Sequence, residues 1–153
     1  MTGRWLRRTL GGALALVALV LIVLWLGLRA SLPKLDGEVV VAGIDDVATI
    51  ERDADGIPVI TASNRYDLAY ATGYAHGQDR FFQMDLIRRK AAGELSELVG
   101  AAAINADRRY RFHRFRARAA AVFEAAAEAD RRLMQSYAAG VNAGLDSLGA
   151  KPF

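Results

Sequence analysis

The feature that most constrains this chain is an uninterrupted apolar run near its start. Leu10 to Leu28 reads LGGALALVALVLIVLWLGL, nineteen residues without a charge. At a helical rise of about 1.5 Å per residue this nearly spans a hydrocarbon core of about 30 Å. It reads as a membrane-spanning helix. Arg4, Arg7 and Arg8 precede it, whereas beyond it Arg29 and Lys34 are balanced by Asp36 and Glu38. That bias places the N-terminus in the cytoplasm and everything after Ser31 on the exported side, periplasmic or extracellular. A cleaved signal peptide is the rival reading. Its apolar region is usually only about 7–15 residues long, and Leu28-Arg29-Ala30 is a poor small-x-small cleavage site. A buried helix of a soluble protein fits less well with the basic flank, Trp25 near the outer end and the following Pro33.

The expected organisation is a basic cytoplasmic tip at 1–9, an anchor at 10–28, a linker at 29–37 and one modest domain at 38–153. Within that domain the runs Glu38 to Ala42, Val47 to Arg52 and Ile57 to Ala62 are β-branched. The last two flank the turn signal Asp53-Ala54-Asp55-Gly56 and predict a hairpin. Pro58 cannot donate a ladder hydrogen bond, so its strand belongs at an edge or begins pairing after that residue.

Ser63 or Asn64 can cap the helix that follows, in which Leu68, Ala71, Ala75, Phe82 and Leu86 recur at helical spacing. Gly73 and Gly77 lie on the same helix and cost about 1 kcal/mol each against alanine, which predicts close approach of another backbone, or a break. Glu94 to Val99 reads as a short amphipathic connector. Phe112, Phe115, Ala119, Val122 and Phe123 form one helical face and, after a break near Ala127, Leu133, Tyr137, Val141 and Leu145 form another. The fold class is therefore mainly α with a small N-terminal hairpin. The end, Asp146 to Phe153, reads as a helix exit running into another segment.

Several chemistries are excluded or weakened. With no cysteine in the chain there is no disulfide, thiolate metal site or cysteine nucleophile. The net charge of +3 is matched by the three arginines of the tip, so it carries no argument for nucleic acid. His76 and His113 fall on different predicted helices, which fits structural roles better than a metal pair or a base–nucleophile dyad. Gln78, Asp79 and Arg80 could be read as an acid and anion clamp, but Asp79 and Arg80 read better as hydrogen-bonded partners that hold the long helix to its neighbours. None of Ser63, Ser96, Ser136 and Ser147 stands in a nucleophile-elbow context. Arg108, Arg109, Arg111, Arg114, Arg116 and Arg118, interleaved with Tyr110, Phe112 and Phe115, wrap their helix rather than forming one stripe. Such a cluster is a solvated surface that also touches other parts of the protein, with lipid contact the remaining alternative.

One stretch is more specific than any of these. Gly73-Tyr74-Ala75-His76-Gly77-Gln78-Asp79-Arg80-Phe81-Phe82-Gln83-Met84-Asp85 resembles a segment of the penicillin acylase family, written G-[YF]-x-x-x-Q-D-R-[LF]-[FW]-Q-M-[ED]. The likeness continues through Arg88-Arg89, Ala92 to Glu97, Gly100 and Tyr137 to Ala143, and the turn at Ile50 to Pro58 is similar as well. It covers about Leu35 to Phe153.

The resemblance implies the N-terminal part of an N-terminal nucleophile hydrolase, hence an incomplete portion of that class's αββα fold. In the family a precursor cuts itself, and the new N-terminal serine of the second chain attacks a linear amide carbonyl, its own α-amino group acting as base. The serine, the acyl pocket and the glutamate that helps hold a calcium ion all match positions beyond Phe153. The resemblance therefore assigns no catalytic, cofactor or metal residue here, and it implies that this chain alone is inactive. Its expected partners are the remainder of the same precursor and, through residues 10–28, the membrane. The alternative is a non-enzymatic membrane-anchored helical module that binds a partner through Phe112, Phe115 and Tyr137 or through the arginines.

Overall fold

The computed structural model of the chain describes residues 2–150, with side chains from Arg8 onward. The side chains of Arg4 and Arg7 and the exit at Lys151-Pro152-Phe153 lie outside the described residues. The apolar run sits within a helix longer than the run itself, α1, Thr2–Ala30. Its stretch Arg8–Ala30 is long and apolar enough to cross a membrane, and none of it is buried against the rest of the chain. Ala150 N–H donates to the Ala30 carbonyl at 2.9 Å, joining the end of α1 to the last described residue.

The hairpin forms as expected. Strands β1, Ala48–Arg52, and β2, Pro58–Ala62, pair antiparallel with Ile50 opposite Ile60 and Arg52 opposite Pro58. Pro58 thus stands at the turn end of a two-stranded ladder, where no donor is required of it. The Asp53 carboxylate accepts the N–H groups of Asp55 and Ile57 at 2.9 and 2.8 Å, and Gly56 takes φ 77°, a left-handed conformation that glycine adopts without strain. The β-branched run at 38–42 forms no strand, and Val40 is fully exposed. It has no partner strand, and its neighbours Asp45 and Asp46 spend their N–H groups on a side chain instead of a ladder.

Helix α2, Arg65–Ala92, starts at Asn64, whose side chain accepts from Tyr66 N and Asp67 N. Of the two capping candidates, Asn64 is the one used. The helix ends at Gly93 in the left-handed conformation. It then passes through α3, Ser96–Val99, and a 3₁₀ turn at Gly100–Ala103 to α4, Ile104–His113, α5, Phe115–Ala125, and α6, Glu128–Asp146. The break near Ala127 is present. A second break, which residue type did not announce, separates α4 from α5 at Arg114 with φ 53°, the one positive φ among described non-glycine residues.

The centre of the fold is the crossing of α2 and α6. A Cβ on Gly73 would meet the Tyr137 carbonyl, one on Gly77 the Val141 carbonyl, one on Gly140 the Tyr70 carbonyl and one on Gly144 the Tyr74 carbonyl, each closer than real Cβ atoms come. The paired numbers rise together, so the two helices run parallel, and residues 93–127 carry the chain back to the start of α2. Backbone contact of this kind leaves room only for small neighbours. Ala71 and Ala75 are accordingly 4% and 1% exposed, whereas Leu68 and Phe82, expected on the same buried face, are pushed to its rim at 42% and 49%.

Candidate functional site

Three aspartates are nearly inaccessible: Asp67, Asp85 and Asp107, at 1%, 5% and 4% exposed. A buried carboxylate is a catalytic candidate only if part of its hydrogen-bonding capacity remains free. Here each carboxylate is already engaged by two or more donors. Asp67 accepts Asp45 N–H at 2.9 Å, Asp46 N–H at 3.0 Å and the Asn64 amide at 2.6 Å, tying the loop before β1 to the first turn of α2. Its pKa is held below the ordinary carboxylate value chiefly by the Asp45 N–H, with Asn64 and Asp46 adding to it against the opposing effect of burial.

Asp107, from α4, accepts Leu95 N–H at 3.0 Å and Ser96 N–H at 2.8 Å, which closes the connector onto α4. The Ser96 hydroxyl is the largest cause of its lowered pKa. Burial pushes the Asp85 carboxyl upward, but hydrogen bonds from Arg89 at 2.5 Å and Arg88 at 2.8 Å outweigh it and the net shift is downward. All three carboxylates are ionised clasps of the backbone or of arginine, not acids or bases poised near neutral pH.

The residues singled out in the sequence are dispersed. His76 on α2 lies 2.9 Å from the Tyr137 hydroxyl on α6, while His113 closes α4 and stacks on Phe115 with centroids 5.2 Å apart. Both Asp79 carboxylate oxygens accept from one nitrogen, Nη2, of Arg52 on β1, at 2.8 and 3.0 Å, and so tie the hairpin to α2. Gln78 donates to the Ser147 hydroxyl at 3.0 Å, and that hydroxyl donates in turn to the Gly144 carbonyl at 2.6 Å. Arg80 reaches only along its own helix, to Gln83 at 3.3 Å. The Ser147 hydroxyl is held by an amide and a carbonyl, and no group of three metal-ligating side chains exists among the described residues. Of the arginine cluster, Arg111 donates to the Gly93 carbonyl at 2.8 Å and Arg116 forms a bidentate pair with Glu94.

One cleft of about 460 Å³ opens between the segment 34–44, the hairpin, α2 and Ser147. Val41, Ile44, Ile50, Tyr70 and Tyr74 give it apolar surface, and Lys34, Asp36, Glu38, Arg52 and Gln78 line it as well. Burial raises the Tyr70 phenol above its ordinary pKa, so it stays neutral there. The cleft can hold an apolar group, but its wall offers no paired nucleophile and base.

The Gly73–Asp85 stretch is thus a set of joints. Gly73 and Gly77 meet α6, Gln78 meets the end of α6, Asp79 meets β1 and Asp85 ties the helix to its own last turns. Residues 47–153 match the penicillin amidase family as a whole. The chain belongs to the penicillin amidase family. Among relatives, it is 41% identical over 120 residues to penicillin acylase 2 proenzyme of Pseudomonas sp. (strain SE83), covering 78% of this chain and 16% of that protein. It is 33% identical over 113 residues to acyl-homoserine lactone acylase QuiP of Pseudomonas fluorescens (strain Pf0-1), covering 74% and 14%. A thermostable penicillin G acylase from Alcaligenes faecalis superposes with a TM-score of 0.60 at 33% identity, over 65% of this chain and 53% of that one. This penicillin amidase chain therefore spans about one-sixth of the length of the Pseudomonas proenzyme. What it contributes within that span is the family's interlocked helices and hairpin.

The joints were only partly visible in sequence. Asn64 followed three residues later by Asp67 is a capping pattern that marks Asp67, and Asp85 with Arg88 and Arg89 has the i, i+3 and i, i+4 spacing of intrahelical pairs. Nothing in sequence marks Asp107 as the acceptor for Leu95 and Ser96.

Proposed function

We propose that the chain is the N-terminal portion of an exported, membrane-anchored acylase precursor that hydrolyses linear amides. In this reading α1 is an uncleaved anchor with its basic end in the cytoplasm, and residues after about 30 are exported. The helices and hairpin position a catalytic serine that a later segment supplies and that self-cleavage frees. The serine hydroxyl attacks the amide carbonyl, its own amine takes the proton, and backbone donors stabilise the developing oxyanion. The substrate's amine leaves with that proton, and water then hydrolyses the serine ester, releasing the acyl group as its carboxylic acid and restoring the hydroxyl.

The observation that supports this reading is the family match across 47–153, in which Gly73, Gly77, Gln78, Asp79 and Asp85 of the motif serve as joints. The relatives' names indicate two acyl-amide substrate classes, penicillins and acyl-homoserine lactones. Calcium belongs to the proposal only for the complete enzyme. The three buried carboxylates are already committed to N–H groups and arginine, so its ligands would come from later segments.

The test is expression of the full open reading frame, read on through codon 153 in the source DNA. The expected result is a membrane-bound precursor that cuts itself into two chains and releases a chromogenic amine from an arylacetyl amide. Replacing the serine exposed by cleavage should abolish both events. A frame that ends at that codon, or a complete product that stays uncut and inert, would overturn the proposal.

A further inference from the structure

The α4–α5 elbow is at odds with the rest of the fold. Helix α5 has eleven residues and none of them is buried among the described ones. A helix of that length is marginal in water unless one face is covered. Two of its three large apolar side chains are exposed all the same, Phe115 at 42% and Val122 at 66%, with Phe123 half-buried, and Phe112 at the end of α4 is 85% exposed. The connection itself is held rigidly. Arg114 carries the left-handed turn that few side chains other than glycine tolerate, His113 stacks on Phe115 and meets the Phe112 ring edge-on at 5.9 Å. Arg116 is clamped to Glu94, and Arg131 caps the end of α5 through the Glu124 and Ala126 carbonyls at 3.1 and 2.9 Å. Around this aromatic knob Arg108, Arg109 and Arg118 are exposed and have no acidic partner among the described residues. A preformed aromatic group rimmed by arginine has the composition of an interface anchor.

Resting on the reading above, we infer that the Phe112–His113–Phe115 elbow is a docking knob for the remainder of the same precursor, seated in an apolar pocket rimmed by carboxylates. The occupant follows from length and charge. About five-sixths of the Pseudomonas relative lies outside the region matched here, which is ample surface to cover the face. The exposed arginines come from both helices that flank the knob, Arg108 and Arg109 from α4 and Arg118 from α5, which suits an enclosing pocket better than a flat anionic bilayer.

The experiment places a benzophenone-bearing phenylalanine at position 112 of the complete precursor in its native membrane and irradiates it. The expected adduct joins position 112 to residues of the same polypeptide beyond 153. Adducts to phospholipid, to another copy of residues 1–153, or to water alone would overturn the inference. A second variant, Phe115→Asp in the precursor that carries the probe at position 112, should cut the yield of that adduct about 30-fold, the loss expected for an interface anchor. An unchanged yield would count against the knob. The two proposals fail separately: a precursor that cuts itself and cleaves amides while position 112 labels lipid removes only the docking knob. A precursor whose position 112 labels later residues but which stays inert removes only the catalytic reading.

Discussion

The α2–α6 crossing and the α4–α5 elbow solve opposite problems with the same kind of element. At the crossing, glycines on both helices let backbones touch, and the buried contact is made by Ala71, Ala75 and Val141 with Tyr70. At the elbow the large apolar residues Phe112 and Val122 stand outside the fold, and the joints are polar. Burial in this chain therefore follows how closely backbones approach, not how hydrophobic a helix is. Among the described residues the first region buries its contact face, and the second leaves Phe112 and Val122 exposed.

The largest effect should come from breaking the crossing. Gly140→Leu puts a side chain where the Tyr70 carbonyl and Cα already lie, and neither can yield without moving α2. The expected loss is about 3 kcal/mol or more, read as a fall in the urea midpoint of the detergent-solubilised chain. A midpoint unchanged by this substitution would mean that the glycines do not hold the helices together.

A pH titration sharpens the comparison next. Asp67, Asp85 and Asp107 have folded pKa values below their unfolded ones, so each contributes stability above the unfolded value of about 3.9. That contribution is lost as pH falls through the lower folded values. Stability should be flat from about pH 7 to 5 as far as these groups are concerned, and should fall steeply below about pH 4. Asp67→Asn with Asp107→Asn should flatten the acid limb and lower stability at neutral pH, as followed by circular dichroism. An acid limb of the same steepness would show that the clasps carry no stability.

The smallest effect belongs to the elbow. Phe112→Ser should change the stability of this chain by less than about 0.5 kcal/mol, because the ring is 85% exposed and covers little. Denaturant unfolding measures it, and a loss comparable to that of Gly140→Leu would erase the distinction between the two regions.

Much of the local structure was legible because it depends on neighbours in sequence. The Asp53–Gly56 turn, the Asn64 cap, the left-handed exit at Gly93 and the break at Ala127 each follow from residue type within a few positions. The expected face on α2 was half right: its small residues are buried, but Leu68 and Phe82 are not. Spacing marks a face without saying how near the opposing helix comes. Sequence spacing also left open whether Gly73 and Gly77 mark a contact or a break, and the uninterrupted α2 resolves it as a contact. Asp79 binds a neighbouring element as expected, Gln78 does so without having been expected to, and Arg80 stays on its own helix.

By itself the sequence determined the apolar helix, the hairpin, the helix-rich class and the likeness to penicillin acylases, since all of these rest on runs and motifs read along the chain. Tertiary structure decided which carboxylates became clasps, that Gly140 and Gly144 answer Gly73 and Gly77 from more than sixty residues away, and that the chain turns sharply at Arg114. Those outcomes depend on which backbones meet across the fold. A meeting of that kind is set by the joint packing of several elements, so no local pattern of residue types can specify it.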